Sequence, residues 1–187
     1  MNQFPLILKA YRVLIDCHER IRREASLGFL VVNGFRKPTA GNMMRLTWDM
    51  FKSHESGRYA ESEKATDCSS TQTEYNIYHE ETGNLTAAEL ARNACHAFRK
   101  QLWRMDWNPE RVTDEQVDAM RDGLQLIFAR ATKLGCGVHL TEQHSILACN
   151  YDAIVTKNYP IYRTGLGCEF CPLGARCDGW EGFCKWN

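Results

Sequence analysis

At 187 residues, with 44% apolar and 25% charged side chains, the chain is long enough for one globular domain with a sizeable core and a small appendage. Lysine plus arginine balance aspartate plus glutamate at 23 each; the zero net charge argues against a general binder of phosphate backbones, which needs a basic surplus. No apolar run approaches the roughly 18 residues of a membrane span, and nine cysteines are the usage of an oxidised, extracellular domain rather than of a reducing cytosol.

In chain order, Phe4 to Ile15 is apolar but broken by Lys9 and Arg12, so it lacks the form of a signal peptide, and residues 1–16 read as an N-terminal extension of a mature chain. Arg20, Arg22 and Arg23 are interleaved with Glu19 and Glu24, the pattern of a solvated helix face, with a local basic patch as the sharper alternative. Leu27, Leu30, Val31 and Phe35 recur at helical spacing, which predicts a helix from about Ala25 to Phe35, closed by Pro38. A second helix is expected near Trp48, with a polar later part from Glu55 to Ala65, then a polar loop from Ser69 to Thr73. His79 beside Glu80 and Glu81 offers metal-ligating residue types. Adjacent residues point apart on a helix or strand, however, and surface roles fit them better.

Asn84-Leu85-Thr86 is a glycosylation acceptor. Thr86 and Glu89 form a capping box, opening a third helix with Leu90, Ala94, Phe98 and Leu102 on one face. Cys95 beside His96 has the residue types of a nucleophile pair or a metal site, but Cys95 falls on the apolar side, where a structural cysteine is ordinary. Trp103, Met105 and Trp107 read as core and rim, or as a partner hot spot if exposed together. Thr113 with Gln116 marks another helix start, carrying Val117 and Met120. Arg121-Asp122-Gly123 reverses part of an integrin-binding tripeptide and is a coincidence of composition.

Beyond Gly123 the pattern turns to strands: Leu124 to Phe128, Cys136 to Leu140, and Ile146 to Tyr151 after a polar turn at Thr141 to Ser145. Helices first and strands later predict an α+β fold with an antiparallel sheet. From Cys168 onward, four cysteines in 20 residues with little apolar mass require cross-links, and Cys168, Cys171, Cys177 and Cys184 allow three connectivities, or a four-cysteine zinc site as the alternative.

Lys133-Leu134-Gly135-Cys136-Gly137, then Ile146-Leu147-Ala148-Cys149-Asn150-Tyr151, then Pro160-Ile161-Tyr162, closely resemble the strands of the CAP superfamily of cysteine-rich secretory, antigen 5 and pathogenesis-related proteins. The run from Cys168 to Cys184 looks like the hinge of secreted CAP proteins from parasitic nematodes. Asn33-Gly34-Phe35-Arg36, Leu46-Thr47-Trp48-Asp49 and Asn76-Ile77-Tyr78 match helix landmarks, so the likeness runs from about Cys17 to Cys184. It implies a three-layer α–β–α sandwich (residues 17–163) with a cysteine-rich hinge appendage (164–187). It also implies disulfides Cys136–Cys149, Cys168–Cys177 and Cys171–Cys184. The first closes a loop worth about 3 kcal/mol in the chain-entropy model. Cys17, Cys68 and Cys95 remain, an odd number.

Many members of that superfamily carry two histidines and two glutamates in a cleft suited to a divalent metal. The corresponding positions here are Val32, Tyr75, Gln101 and Asp122, with Glu74 as a neighbour able to replace Tyr75. Two carboxylates without imidazoles make a weak site, so the cleft reads as chemically retired and no metal, cofactor or catalytic residue is expected. The resemblance therefore implies a secreted, non-catalytic effector, monomer or dimer, that binds a host extracellular protein or cell receptor and modulates immune or cell-adhesion (haemostatic) responses. The alternative is an extracellular sterol or fatty-acid carrier using the loop from Asp152 to Tyr159, with Ile154, Val155 and Tyr159 as wall residues. A metal-dependent hydrolase ranks last, since its ligands are missing.

Overall fold

The computed structural model describes residues 4–62 and 74–186, so Cys68 and the loop from Ser69 to Thr73 lie outside the described residues. In chain order the elements are α1 (Phe4–Ser26), β1 (Val31–Val32), β2 (Phe35–Arg36), β3 (Thr47–Trp48), α2 (Met50–Ala60), β4 (Tyr75–Glu80), α3 (Ala87–Gln101), α4 (Asp114–Leu126), β5 (Lys133–Leu140), β6 (Ser145–Tyr151), β7 (Ala175–Asp178) and β8 (Phe183–Trp186). They form two compact units. The first comprises Met1–Cys17, Thr47–Ala97 and Lys133–Asp152, and the second His18–Leu46, Phe98–Thr132 and Ala153–Asn187. The α+β class expected from the sequence is the class observed. α1 runs without a break from Phe4 through residue 16 to Ser26.

The first unit is built on a four-stranded sheet of order β3-β5-β6-β4. β4, β6 and β5 are antiparallel, whereas β3 runs parallel to β5 for two residues, so the sheet is mixed at that edge. The β5–β6 hairpin turns at Thr141, whose N–H donates to the His144 carbonyl at 2.9 Å and whose Oγ1 accepts from the His144 N–H at 3.0 Å. α2 starts where the Asp49 carboxylate accepts the Phe51 and Lys52 amides at 2.9 and 3.1 Å. It lies directly on β5: a Cβ at Gly135 would sit 2.2 Å from the Ser53 nitrogen, and one at Gly137 would sit 2.1 Å from the Gly57 nitrogen. The hydroxyls of Ser53 and Ser56 donate to the Cys136 and Gly135 carbonyls at 2.7 and 2.9 Å. Ala60, Ile146 and Ala148 form the small core beneath, with Tyr59, Tyr75 and Ile77 packed against it. Cys136–Cys149 joins paired strand positions, and Cys17–Cys95 joins α1 to α3.

In the second unit the helix expected from Ala25 to Phe35 is replaced by the end of α1 and the β1–β2 hairpin. Asn33 and Gly34 both take positive φ (51° and 80°), the conformation of a two-residue hairpin turn, and this local signal overrides the helical spacing of Leu27, Leu30 and Val31. Leu30 and Val32 point inward, while Phe29, Val31 and Phe35 are exposed. The strand expected from Leu124 to Phe128 is likewise corrected, since α4 continues to Leu126. Residues 123 to 129 are all buried, and a continuous buried apolar run carries no period that separates helix from strand.

Arg22 is also unlike its expectation. It is fully buried, and its guanidinium donates to the carbonyls of Met44, Phe128, Ala131, Leu126 and Ala129 at 2.6, 2.9, 3.0, 3.3 and 3.4 Å. It ties three chain segments of the second unit together through backbone oxygens.

The hinge folds as the β7–β8 ribbon, held by Cys168–Cys177 and Cys171–Cys184. Arg45 fastens it through Glu181 at 2.7 Å and Asp178 at 3.5 Å, and pairs with Glu19 of α1 at 3.4 Å.

Candidate functional site

Two of the four cleft positions meet in the second unit. Gln101 closes α3, and Asp122 lies in the last turns of α4. α4 is set by its capping box: Thr113 Oγ1 accepts the Gln116 N–H at 3.2 Å, and Gln116 Oε1 accepts the Thr113 N–H at 2.9 Å. Gln101 Nε2 donates to Asp122 Oδ2 at 2.8 Å, and Gln101 Oε1 accepts the Gly123 N–H at 3.2 Å. Burial pushes the Asp122 carboxyl up to about 6, against the Gln101 hydrogen bond and the charges of Arg121 and Arg104.

Val32 is buried in the same unit, and Tyr75 belongs to the first unit, stacked on Tyr59 with ring centroids 4.2 Å apart. Burial raises the Tyr75 hydroxyl above the usual tyrosine range, against its hydrogen bond with Asn150. Glu74 is exposed. Valine offers no donor atom, and both ends of the Gln101 amide are engaged. A divalent cation that prefers imidazole and carboxylate ligands does not fit these residues.

The cysteines are oxidised where the sequence left alternatives. The hinge sulfurs of Cys168, Cys171 and Cys184 lie within 4.8 Å of one another, but they belong to disulfides and present no thiolate for zinc. The three pairings are those the resemblance implies. Cys95 is bonded to Cys17, which removes it as a nucleophile beside the exposed His96. Trp107 is buried, with its indole N–H on the Leu102 carbonyl at 3.1 Å, while Trp103 and Met105 are half-buried. Asn84 is exposed ahead of α3.

Of the expected lipid-loop residues, Val155 is buried and its N–H donates to Gln125 Oε1 at 2.8 Å, Ile154 is half-buried, and Tyr159 is exposed. Tyr159 lies edge-on to Phe128 and beneath the Arg130 guanidinium, 4.9 Å from the ring centre. It lines an open groove of about 410 Å³ with Glu110, Arg111, Val112, Thr113, Asp114 and Asn158.

Sequence reasoning missed Lys37, which is buried and donates to the Trp107 carbonyl at 2.7 Å beneath that indole. It also missed the exposed aromatic face of the β1–β2 hairpin. The Asn33-Gly34 dipeptide is the signal that marks the hairpin.

No family model matches the sequence, and no curated protein sequence matches it. Solved structures do match by fold. NaASP2, crystallised with Zn²⁺, superposes with a TM-score of 0.82 at 20% identity, covering 94% of this chain and 95% of that chain. BmVAL-1 gives 0.80 at 18% identity, covering 96% and 94%. A hookworm platelet inhibitor gives 0.70 at 16% identity, covering 94% and 90%. The chain therefore has the α+β fold of the CAP superfamily, shared with nematode secreted and venom-allergen-like proteins.

Proposed function

We propose that this chain is a secreted, non-catalytic CAP-fold effector that binds a host extracellular protein or cell receptor and modulates host immune or cell-adhesion (haemostatic) responses. The observation that carries this reading is a contrast within the second unit. Two positions of the degenerate cleft, Gln101 and Asp122, hydrogen-bond to each other, whereas Phe35 in the β1–β2 hairpin is 71% exposed and Phe29, just ahead of it, 61%. Large aromatics dominate interface energies, and solvent exposure of two phenylalanines at one short hairpin suits a partner surface. Four disulfides and an exposed acceptor at Asn84 support secretion. The fold shared with a hookworm platelet inhibitor supports platelets as the first target to test. The test is binding of purified, disulfide-intact protein to platelets, leukocytes and plasma proteins at micromolar concentration; no saturable binding to any of them overturns the reading.

A second reading is carriage of a sterol or fatty acid: Tyr159 and Val112 line an open groove of small-molecule size, although its other lining residues, Glu110, Arg111, Thr113, Asp114 and Asn158, are polar. Delipidated protein that takes up no labelled cholesterol or fatty acid ends it.

A further inference from the structure

We propose that His79, His139 and His144 form a binding site for a first-row divalent cation, zinc or copper(II), at the turn end of the first unit's sheet. His79 on β4 and His139 on β5 are both registered against Ile146 of β6, so the two side chains stand in one cross-strand row on one face. His144 precedes Ile146 by two residues and is diagonal to both, within the reach of long side chains across a sheet. Its ring centroid lies 5.7 Å from that of His79 and 6.0 Å from that of His139.

That spacing matches the chemistry. A zinc–imidazole bond of about 2.0–2.1 Å places the ring centre about 3.2 Å from the ion, and two imidazoles on a tetrahedral ion then have centres about 5.2 Å apart. Both observed separations are within an ångström of this value. The backbones of His79 and His139 are two strand spacings apart, about 9.5 Å, a gap that two imidazoles reaching inward can bridge.

Among the described residues, the one histidine, cysteine or carboxylate group already at ligand spacing is the oxidised hinge cluster, so the histidine site is completed by ring rotation. All three residues are half-buried, none of them sealed in the core. The turn holds the central ligand, since Thr141 bonds both the N–H and the carbonyl of His144. Glu80 is turned to its neighbour, accepting the Tyr78 hydroxyl, so the partners of His79 come from across the sheet and not from the adjacent acidic residues. The site uses none of Val32, Tyr75, Gln101 or Asp122. Three imidazoles leave an open coordination position for water or a donor from a partner.

The experiment is calorimetric titration of untagged, metal-free protein with zinc chloride and then copper(II) chloride near neutral pH, followed by imidazole proton resonances. The expected result is one ion per chain with a Kd below about 10 µM for zinc and tighter binding for copper, as the divalent-metal order requires. Only the resonances of His79, His139 and His144 should shift. His144→Ala, His79→Gln and His139→Gln should each weaken binding at least about tenfold, while His54→Ala and His96→Ala, which alter exposed histidines elsewhere, leave it unchanged. Absence of stoichiometric binding up to about 100 µM, or binding that His144→Ala leaves intact, overturns the proposal. The wild-type resonances decide the matter even if a variant folds poorly.

Discussion

Gln101 gives an amide hydrogen to Asp122 at 2.8 Å while its own carbonyl receives the Gly123 N–H at 3.2 Å, so both ends of one neutral side chain are occupied by α4. A histidine or glutamate at this place would present a basic donor atom to a ligand; glutamine instead serves as a clasp between two helices. The cost falls on Asp122, whose carboxyl is withdrawn from water beside an amide that only partly replaces its hydration.

This gives a pH signature. The unfolded chain releases the Asp122 proton near 3.8 and the folded chain near 6, so between those values the folded state binds more protons and stability falls as pH rises. The penalty is absent below about 4 and complete above about 6, and amounts to about 2–3 kcal/mol. Asp122→Asn, which keeps an acceptor for Gln101, should flatten this window and raise stability at neutral pH. Urea unfolding of both proteins from pH 4 to pH 7 checks it; parallel pH profiles would show that Asp122 carries no such penalty.

Arg22→Met should be among the most damaging single substitutions in the second unit. It strips hydrogens from five carbonyl oxygens that lie in the interior, and the loss should reach about 3–5 kcal/mol. Arg20→Met, two residues earlier and exposed, should stay within about 0.5 kcal/mol of the parent. Equal denaturation midpoints for the two variants would refute the role given to Arg22.

The Cys17–Cys95 bridge closes a much longer loop than Cys136–Cys149, with separations of 78 and 13 residues. In the chain-entropy model the longer bridge contributes about 4.5 kcal/mol and the shorter about 3 kcal/mol. The Cys17→Ser, Cys95→Ser double variant should therefore lose more stability than Cys136→Ser, Cys149→Ser, measured by calorimetry without reductant. Non-reducing peptide mapping should also recover the Cys17–Cys95 pair, leaving Cys68 as the ninth cysteine.

Phe35→Ser separates binding from folding. The ring is exposed, so its removal should change stability by no more than about 0.5 kcal/mol, yet weaken attachment to the responding host cell or plasma protein at least about tenfold. Unchanged affinity would move the partner surface away from the hairpin.

Features encoded by neighbours in sequence were legible before the structure. Both capping boxes stand where the spacing put them, with Glu89 Oε2 accepting the Thr86 N–H at 2.8 Å. The β5–β6 hairpin also stands where alternation and a polar turn predicted it. Features that depend on tertiary burial were not legible. Arg22 looks like any arginine on a charged helix until carbonyls converge on it. The end of α4 lost its period because every face is covered. Residues 79–81 read as surface positions, and sequence adjacency gave no sign that the sheet register sets His79 and His139 opposite the same residue, Ile146.

Gly135 and Gly137 face α2 at distances that admit no side chain, while Cys136 between them turns to the opposite face and meets Cys149. A slip of β5 by a single residue would drive a sulfur into the helix backbone and strand its partner on the far side. The triplet acts as a key cut for one lock position: the strand either seats in its proper frame or does not seat, and the disulfide then bolts the frame that sterics have already chosen.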